Sequence, residues 1–250
     1  MELWQKSRKS GLAKMYLNLI SIDPERFDRL LNIAGNSILP LLEGAIRYTI
    51  PLALVTFAIG LVIAVLTALA RIFGNKLSRG IARFYISVIR GTPLLVQLFI
   101  IFYGLPSIGL TIDPLISAII GFSLNVGAYA SEIIRAAILS IPKVQWEAAY
   151  SVGMTRAQAL RRIVLPQASR VSIPPLSNSF IGLVKDTSLA SLILVTELFR
   201  RAQEIAATNY EFLFVYCIAA IIYWVVCFIL SVIQGRIEVR LDRHVKRSEG

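Results

Sequence analysis

The chain has 250 residues, 56% of them hydrophobic and only 16% charged, with a mean hydropathy of +0.68. Soluble domains carry roughly a quarter charged residues, so an ordinary soluble fold is excluded and a bilayer is the solvent for most of the chain. The net charge of +11 falls between long apolar runs rather than on a soluble face, which points to phospholipid headgroups and away from nucleic acid.

The first 37 residues form a basic extension, with Lys6, Arg8, Lys9, Lys14, Arg26 and Arg29 softened by Asp23, Glu25 and Asp28. No adequate apolar run lies within it, and residues 12–22 are expected to lie on the membrane surface as an amphipathic helix. A membrane helix needs about 20 consecutive apolar residues. Uncharged runs occur at 48–70, 91–112, 114–131, 171–184 and 212–235, which predicts five spans in one membrane domain covering 38–250. Lys and Arg cluster after the first span, after the third and in the tail, whereas the loop near 105–113 holds only Asp113. Positive charge stays on the cytoplasmic side, so the N-terminus is expected outside.

Individual residues refine these spans. In the second, Thr92 and Pro93 suit a helix start, Arg90 suits a headgroup anchor, and Gln97 one turn inward is a candidate pore contact. In the third, Ser117, Gly121, Asn125, Ala128, Glu132 and Arg135 recur at steps of three or four and share one helix stripe. Small residues on such a stripe mark helix contacts, while Asn125 and Glu132 are candidates for the solute path. Glu132 and Arg135 are spaced for an ion pair, with a gate as the second reading. The fourth run is short, and Pro174, Pro175, Ser177, Asn178 and Ser179 are expected to interrupt it before Lys185-Asp186-Thr187-Ser188. Asp186 can pair with a substrate ammonium, and Lys185, Thr187 and Ser188 with its carboxylate. Alternatively, Lys185 and Asp186 are solvated at the outer end of the span. In the fifth run, Cys217 and Cys227 lie too far apart along one helix to pair and read as small buried hydrophobes. The sole histidine, His244, offers neither a metal cluster nor a nucleophile–base pair. No catalytic or metal-binding residues are assigned.

The loop over 141–166 carries the most information. Pro142 opens a short helix through Glu147, Ala148 and Ala149, Gly153 ends it in a left-handed cap, and Thr155 with Gln158 has capping-box spacing for a second helix. An exposed Ala148-Ala149 step beside Glu147 would form a small knob on which a partner can dock. Glu147-Ala148-Ala149, three residues, Gly153, nine residues, then Ile163-Val164-Leu165-Pro166 resembles the EAA loop of binding-protein-dependent ABC importer permeases. Arg90-Gly91-Thr92-Pro93, Glu132-Ile133-Ile134-Arg135 and Lys185-Asp186-Thr187-Ser188-Leu189 resemble the polar amino-acid branch, and the run from Pro174 to Ala190 is most similar to L-cystine permeases.

The resemblance implies an all-α type I importer core with five transmembrane helices and a cytoplasmic coupling helix, in a bacterial cytoplasmic membrane. It implies ATPase coupling through Glu147, Ala148, Ala149 and Gly153. Its implied partners are two copies of an ABC ATPase subunit, an extracytoplasmic amino-acid-binding protein and a second permease copy, with a homodimer favoured. ATP and Mg belong to the ATPase, because this chain has no G-x-x-x-x-G-K-[ST] phosphate cradle. An ion-driven transporter would want acids deep in several spans, and a membrane enzyme would want paired histidines or carboxylates.

Overall fold

The computed structural model describes residues 24–242, and every regular element among them is helical. Helix α1 (Pro24–Gly44) passes through a π turn (Ala45–Thr49) into α2 (Ile50–Phe73), so that Glu25–Phe73 is one helix of 49 residues. Next come α3 (Lys76–Gly91) and α4 (Leu94–Phe99), the latter extended by a π turn and a 3-10 turn to Ile108. Helix α5 (Pro114–Ser140) returns, and α6 (Lys143–Ser151) and α7 (Arg156–Ala159) form the loop after it. A π turn leads into α8 (Leu165–Asp186), which ends in a 3-10 turn (Thr187–Ile193) before α9 (Leu198–Asn209) and α10 (Phe212–Asp242).

Three helices are long and apolar enough to cross a membrane, and five spans result if each bent pair counts as one. The bent pairs are Lys76–Gly91 with Leu94–Ile108, at 103°, and Arg156–Ile193 with Leu198–Asn209, at 52°. The second span expected from the sequence is therefore an angled pair of helices rather than one rod. Two further expectations are corrected. The prolines at 174 and 175 do not interrupt the fourth segment, because α8 continues through both and breaks only after Asp186. Arg170 and Val171, whose carbonyls lose N–H partners to the prolines, are exposed, and a helix can keep its course when such carbonyls find other partners. Cys217 is exposed rather than buried, although both cysteines are free, as their spacing requires. The basic segment over 12–22 and His244 lie outside the described residues. Residues 24–37 of the expected extension are the first part of α1, with Ile33 and Ser37 buried.

The centre of the fold is the contact between α2 and α5, the most extensive between any two helices described. Glycines bring the backbones together. A Cβ on Gly60 would lie 2.5 Å from a methyl of Val126, and one on Gly127 would lie 2.6 Å from Ile63 and from the Tyr85 hydroxyl. Tyr85 in turn donates to the Leu124 carbonyl at 2.5 Å, anchoring α3 to α5. Around this contact Leu98, Phe122, Leu183, Val184 and Ile193 form the main apolar cluster. A second cluster joins α1, α9 and α10 through Leu41, Leu198, Ala202 and Val215.

Glu197 links the two clusters. It is completely buried. Its carboxylate caps α9 by accepting from the backbone N–H groups of Phe199 (2.9 Å) and Arg200 (2.7 Å). It also accepts from the Tyr223 hydroxyl of α10 at 2.7 Å and the Thr49 hydroxyl at 3.4 Å. A buried carboxylate with four donors is paired with the positive end of a helix and with both neighbouring elements.

Two predictions follow from this packing. Gly127→Leu should destabilise the purified protein by about 1–3 kcal/mol through overpacking, whereas Gly80→Leu, which meets open space, should leave its apparent Tm near that of the parent. Equal Tm values for the two variants would refute the close-approach account. Glu197→Ala strands two hydroxyls and two N–H groups, so it should cost at least about 2 kcal/mol. The readout is thermal unfolding in detergent, and an unchanged Tm would show that the carboxylate does not hold the outer helices.

Candidate functional site

The loop between α5 and α8 is built as its sequence predicts. Helix α6 starts after Pro142, and Gly153 ends it at φ +79°. The Gly153 N–H donates to the Tyr150 carbonyl (2.9 Å) and the Met154 N–H to that of Ala149 (3.1 Å), closing the last turn. The Gln158 N–H donates to the Thr155 hydroxyl at 3.3 Å, while the Thr155 N–H donates to the Gln158 side chain at 2.8 Å, forming a reciprocal cap.

Burial divides α6 into two faces. Ala149 is 4% exposed and faces the protein, so the expected Ala-Ala knob is half buried. The face left open carries Glu147 and Ala148 with Val144 (61% exposed), and Val152 (72% exposed) follows at the end of the helix. Their spacing of four, 144, 148 and 152, makes one apolar ridge beside an acid. The inner face is held by Trp146, whose ring lies 6.4 Å from that of Phe73 at the end of α2. The Arg156 guanidinium sits 4.8 Å over the same Phe73 ring. Beneath them Ala137, Ile138, Ile141, Val164 and Ala168 bring the inner ends of α5 and α8 into one cluster, with Leu69 and Ile72 of α2 packed against it. A push on α6 is therefore delivered to three long helices at once.

A second feature lies deeper. A cavity of about 390 Å³ opens where α4, α5 and α8 meet, lined by Thr92, Asn125, Tyr129, Ser179 and Asp186 among apolar neighbours. Asn125 and Asp186 thus line one cavity. The remaining candidates are placed elsewhere. Lys185 and Ser188 line a separate cavity of about 580 Å³ with Phe199, Tyr216, Tyr223, Trp224 and Cys227. Successive residues at the end of a helix point about 100° apart, which sends Lys185 and Asp186 to different sides of α8. Thr187 is buried, and its hydroxyl donates to the Val184 carbonyl at 2.7 Å. The Ser188 hydroxyl donates to the Lys185 carbonyl at 2.7 Å. The cradle of Lys185, Asp186, Thr187 and Ser188 expected around one ligand is not assembled.

Gln97 is buried and serves the bend between α3 and α4. Its amide donates to the Ile89 carbonyl (2.8 Å), the Thr92 carbonyl (3.1 Å) and the Thr92 hydroxyl (2.9 Å). Glu132 forms the expected ion pair with Arg135 at 3.1 Å and a second one with Arg71 at the end of α2. Arg71, Arg90 and Glu197 went unassigned as site residues at the sequence level. An acid that follows the apolar run 189–195 and precedes a helical segment is the available signal for Glu197. Nothing in the sequence announced that Arg71 and Arg90 turn toward α5.

The cavity offers the carboxylate of Asp186, the amide of Asn125, the hydroxyls of Thr92 and Ser179 and an aromatic wall, which suits a small polar solute bearing an ammonium group. It holds no nucleophile–base pair.

The chain matches the family of binding-protein-dependent transport system inner membrane components over residues 60–243. It is 59% identical over 217 residues to the L-cystine transport system permease protein TcyB of Bacillus subtilis (strain 168), covering 86% of this chain and 93% of that protein. It is 41% identical over 203 residues to the glutamine transport system permease protein GlnP of Escherichia coli (strain K12), covering 80% and 92% of the two chains. The fold matches the crystal structure of an amino acid ABC transporter with histidines at a TM-score of 0.80 and 34% identity, covering 88% of this chain and 99% of that one. With a family match over most of its length and relatives well above the identity at which families diverge in fold, the chain belongs to the binding-protein-dependent transport system inner membrane components.

Proposed function

We propose that this chain is the translocating subunit of an ATP-driven importer for polar amino acids, with L-cystine as its substrate. The observation that carries the assignment is the 59% identity to an L-cystine permease over 86% of the chain, a span that includes the coupling loop and the cavity. In this reading residues 38–250 are the transport unit and residues 1–37 an extension to it. Two copies of the chain form a homodimer around the pathway, two ATPase subunits bind inside, and an extracytoplasmic binding protein delivers the amino acid.

Coupling is assigned to α6. Its ridge of Val144, Ala148 and Val152 suits an apolar cleft on the ATPase, and Glu147 beside the ridge supplies a charge that orients docking. Ala149 faces inward and lets α6 seat on the inner ends of the long helices, while Gly153 permits the sharp turn that leaves the helix protruding. Closure of the ATPases then moves α6 and, through Trp146 and Phe73, the ends of α2, α5 and α8. The path runs through the cavity bearing Asn125 and Asp186, and Asp186 receives the substrate ammonium. Gln97 and Glu132 act by position: the first holds the bent helix that borders the cavity, and the second holds α2 to α5 below it. Lys185, Thr187 and Ser188 shape the outer end of α8 rather than the ligand's immediate shell.

The test is reconstitution of the permease with its ATPase and binding protein in proteoliposomes. L-Cystine-loaded binding protein should stimulate ATP hydrolysis and drive uptake. Failure of any ATPase to associate with the chain would overturn the importer reading, and stimulation by another amino acid alone would replace cystine. Glu147→Ala should weaken stimulation about tenfold, the loss expected for one charge-assisted contact, and unaltered stimulation would remove Glu147 from docking. Asp186→Asn should reduce uptake at least about tenfold in a complex that still assembles with the ATPase. Wild-type uptake by that variant would place the ammonium elsewhere.

A further inference from the structure

The cavity presents an acid for an ammonium, but its lining residues offer no cation for a carboxylate. Lys185, the basic residue nearest in sequence to Asp186, lines the other cavity. Around the inner rim of the Asp186 cavity the situation is reversed. Tyr129 forms part of the cavity wall, and the Arg90 guanidinium lies over its ring, 5.1 Å from the centroid. Arg90 is exposed and has no carboxylate partner among the described residues. One turn further along α5, Glu132 is bonded by both Arg71 and Arg135. Arg83 and Arg90 of α3 lie near enough to Arg71 to act on its charge. Two arginines therefore share a single acid, Arg83 and Arg90 make no ion pair among the described residues, and Arg90 is the one that reaches the cavity wall.

Such an excess is not a structural ion-pair network, because Glu132 is already shared by two partners and leaves Arg83 and Arg90 uncompensated. Ionisable groups within a membrane protein face a partner or a wet cavity, and a low-dielectric cleft lined by one sign of charge focuses its field. A guanidinium over an aromatic ring, with no carboxylate of the chain bonded to it, keeps N–H donors free, and two of them in parallel match a carboxylate.

We propose that Arg90, held on Tyr129, is the carboxylate-binding residue of the pathway, so that an amino acid lies across the Tyr129 ring with its ammonium toward Asp186 and its carboxylate toward Arg90. Arg71, Arg83 and Arg135 stand behind Arg90 as a positive field that favours the carboxylate end facing inward. Selection then acts on the zwitterion itself rather than on the side chain, and a cationic amine without a carboxylate is rejected at the inner rim. This assignment rests on the amino-acid importer reading and extends it to the ligand's second charge.

The experiment uses the assembled permease–ATPase complex in nanodiscs, without binding protein, and measures equilibrium binding of radiolabelled L-cystine in competition with cystamine. Cystamine keeps both ammonium groups and the disulfide but lacks both carboxylates. Wild type should prefer L-cystine by about tenfold or more, the difference expected for a charged hydrogen-bonded contact. Arg90→Gln should lose that preference by weakening L-cystine binding while binding cystamine at least as well as wild type does, which also shows that the variant is folded. Arg90→Lys should recover part of it. The proposal is overturned if wild type binds the two compounds alike, or if Arg90→Gln retains the preference. Absence of saturable L-cystine binding to a complex whose ATPase is still stimulated by loaded binding protein would overturn the carboxylate site and leave the importer reading intact.

Discussion

Within hydrocarbon, a backbone amide or carbonyl that leaves its helix must find another partner in the protein, and at two bends of this chain a buried side chain supplies that partner. Between α3 and α4 the chain turns through 103°, and Gln97 supplies its amide to two carbonyls that the turn sets free. Between α8 and α9 it turns through 52°, passes through Leu194 in the left-handed region, and Glu197 receives the first N–H groups of the new helix. Both side chains are of types rarely buried without partners, and both are buried because a helix end needs them. The bends are also what open a cavity between α4, α5 and α8. A bundle of straight rods packed as closely as Gly60 and Gly127 allow would leave no room for a solute.

The two tightly packed bodies differ in what they transmit. At the inner end, α2, α5 and α8 share one apolar cluster under α6, so a displacement of the coupling loop is common to all three. Elsewhere α1, α9 and α10 form their own cluster, joined to the rest by the continuous helix from α1 into α2 and by Val226, Cys227 and Leu230 of α10, which pack on the main cluster. The cavity is lined from α4, α5 and α8 and the turns that flank them.

Much of this was legible in the sequence where local chemistry decides structure. Pro142, Gly153 and the Thr155–Gln158 pair specify the coupling loop by rules that act over four or five residues, and its geometry follows them. The Glu132–Arg135 pair was readable for the same reason. Features that depend on direction in space were not. Lys185 and Asp186 are adjacent in sequence but open to different cavities, since one step along a helix turns the side chain by about 100°. Pro174 and Pro175 looked like an interruption because proline removes a donor, yet the helix around them absorbs the loss. Ala148 and Ala149 are the same residue type with opposite exposures. Arg90 reads as a headgroup anchor in the sequence, yet the tertiary fold turns it, with Arg71, toward α5.

The last helix has one more consequence. Helix α10 has 31 residues and is therefore about 46 Å long, well beyond the roughly 30 Å of a hydrocarbon layer. Only 11% of its most apolar window is buried inside the protein, and Trp224 and Phe228 stack on its open side with ring centroids 5.7 Å apart. That side packs little against the rest of the described chain, so exchanges among Ile, Leu, Val and Phe there alter little of the packing within it. The apolar stretch gives way to Gln234, Arg236, Glu238 and Arg240 at the inner end.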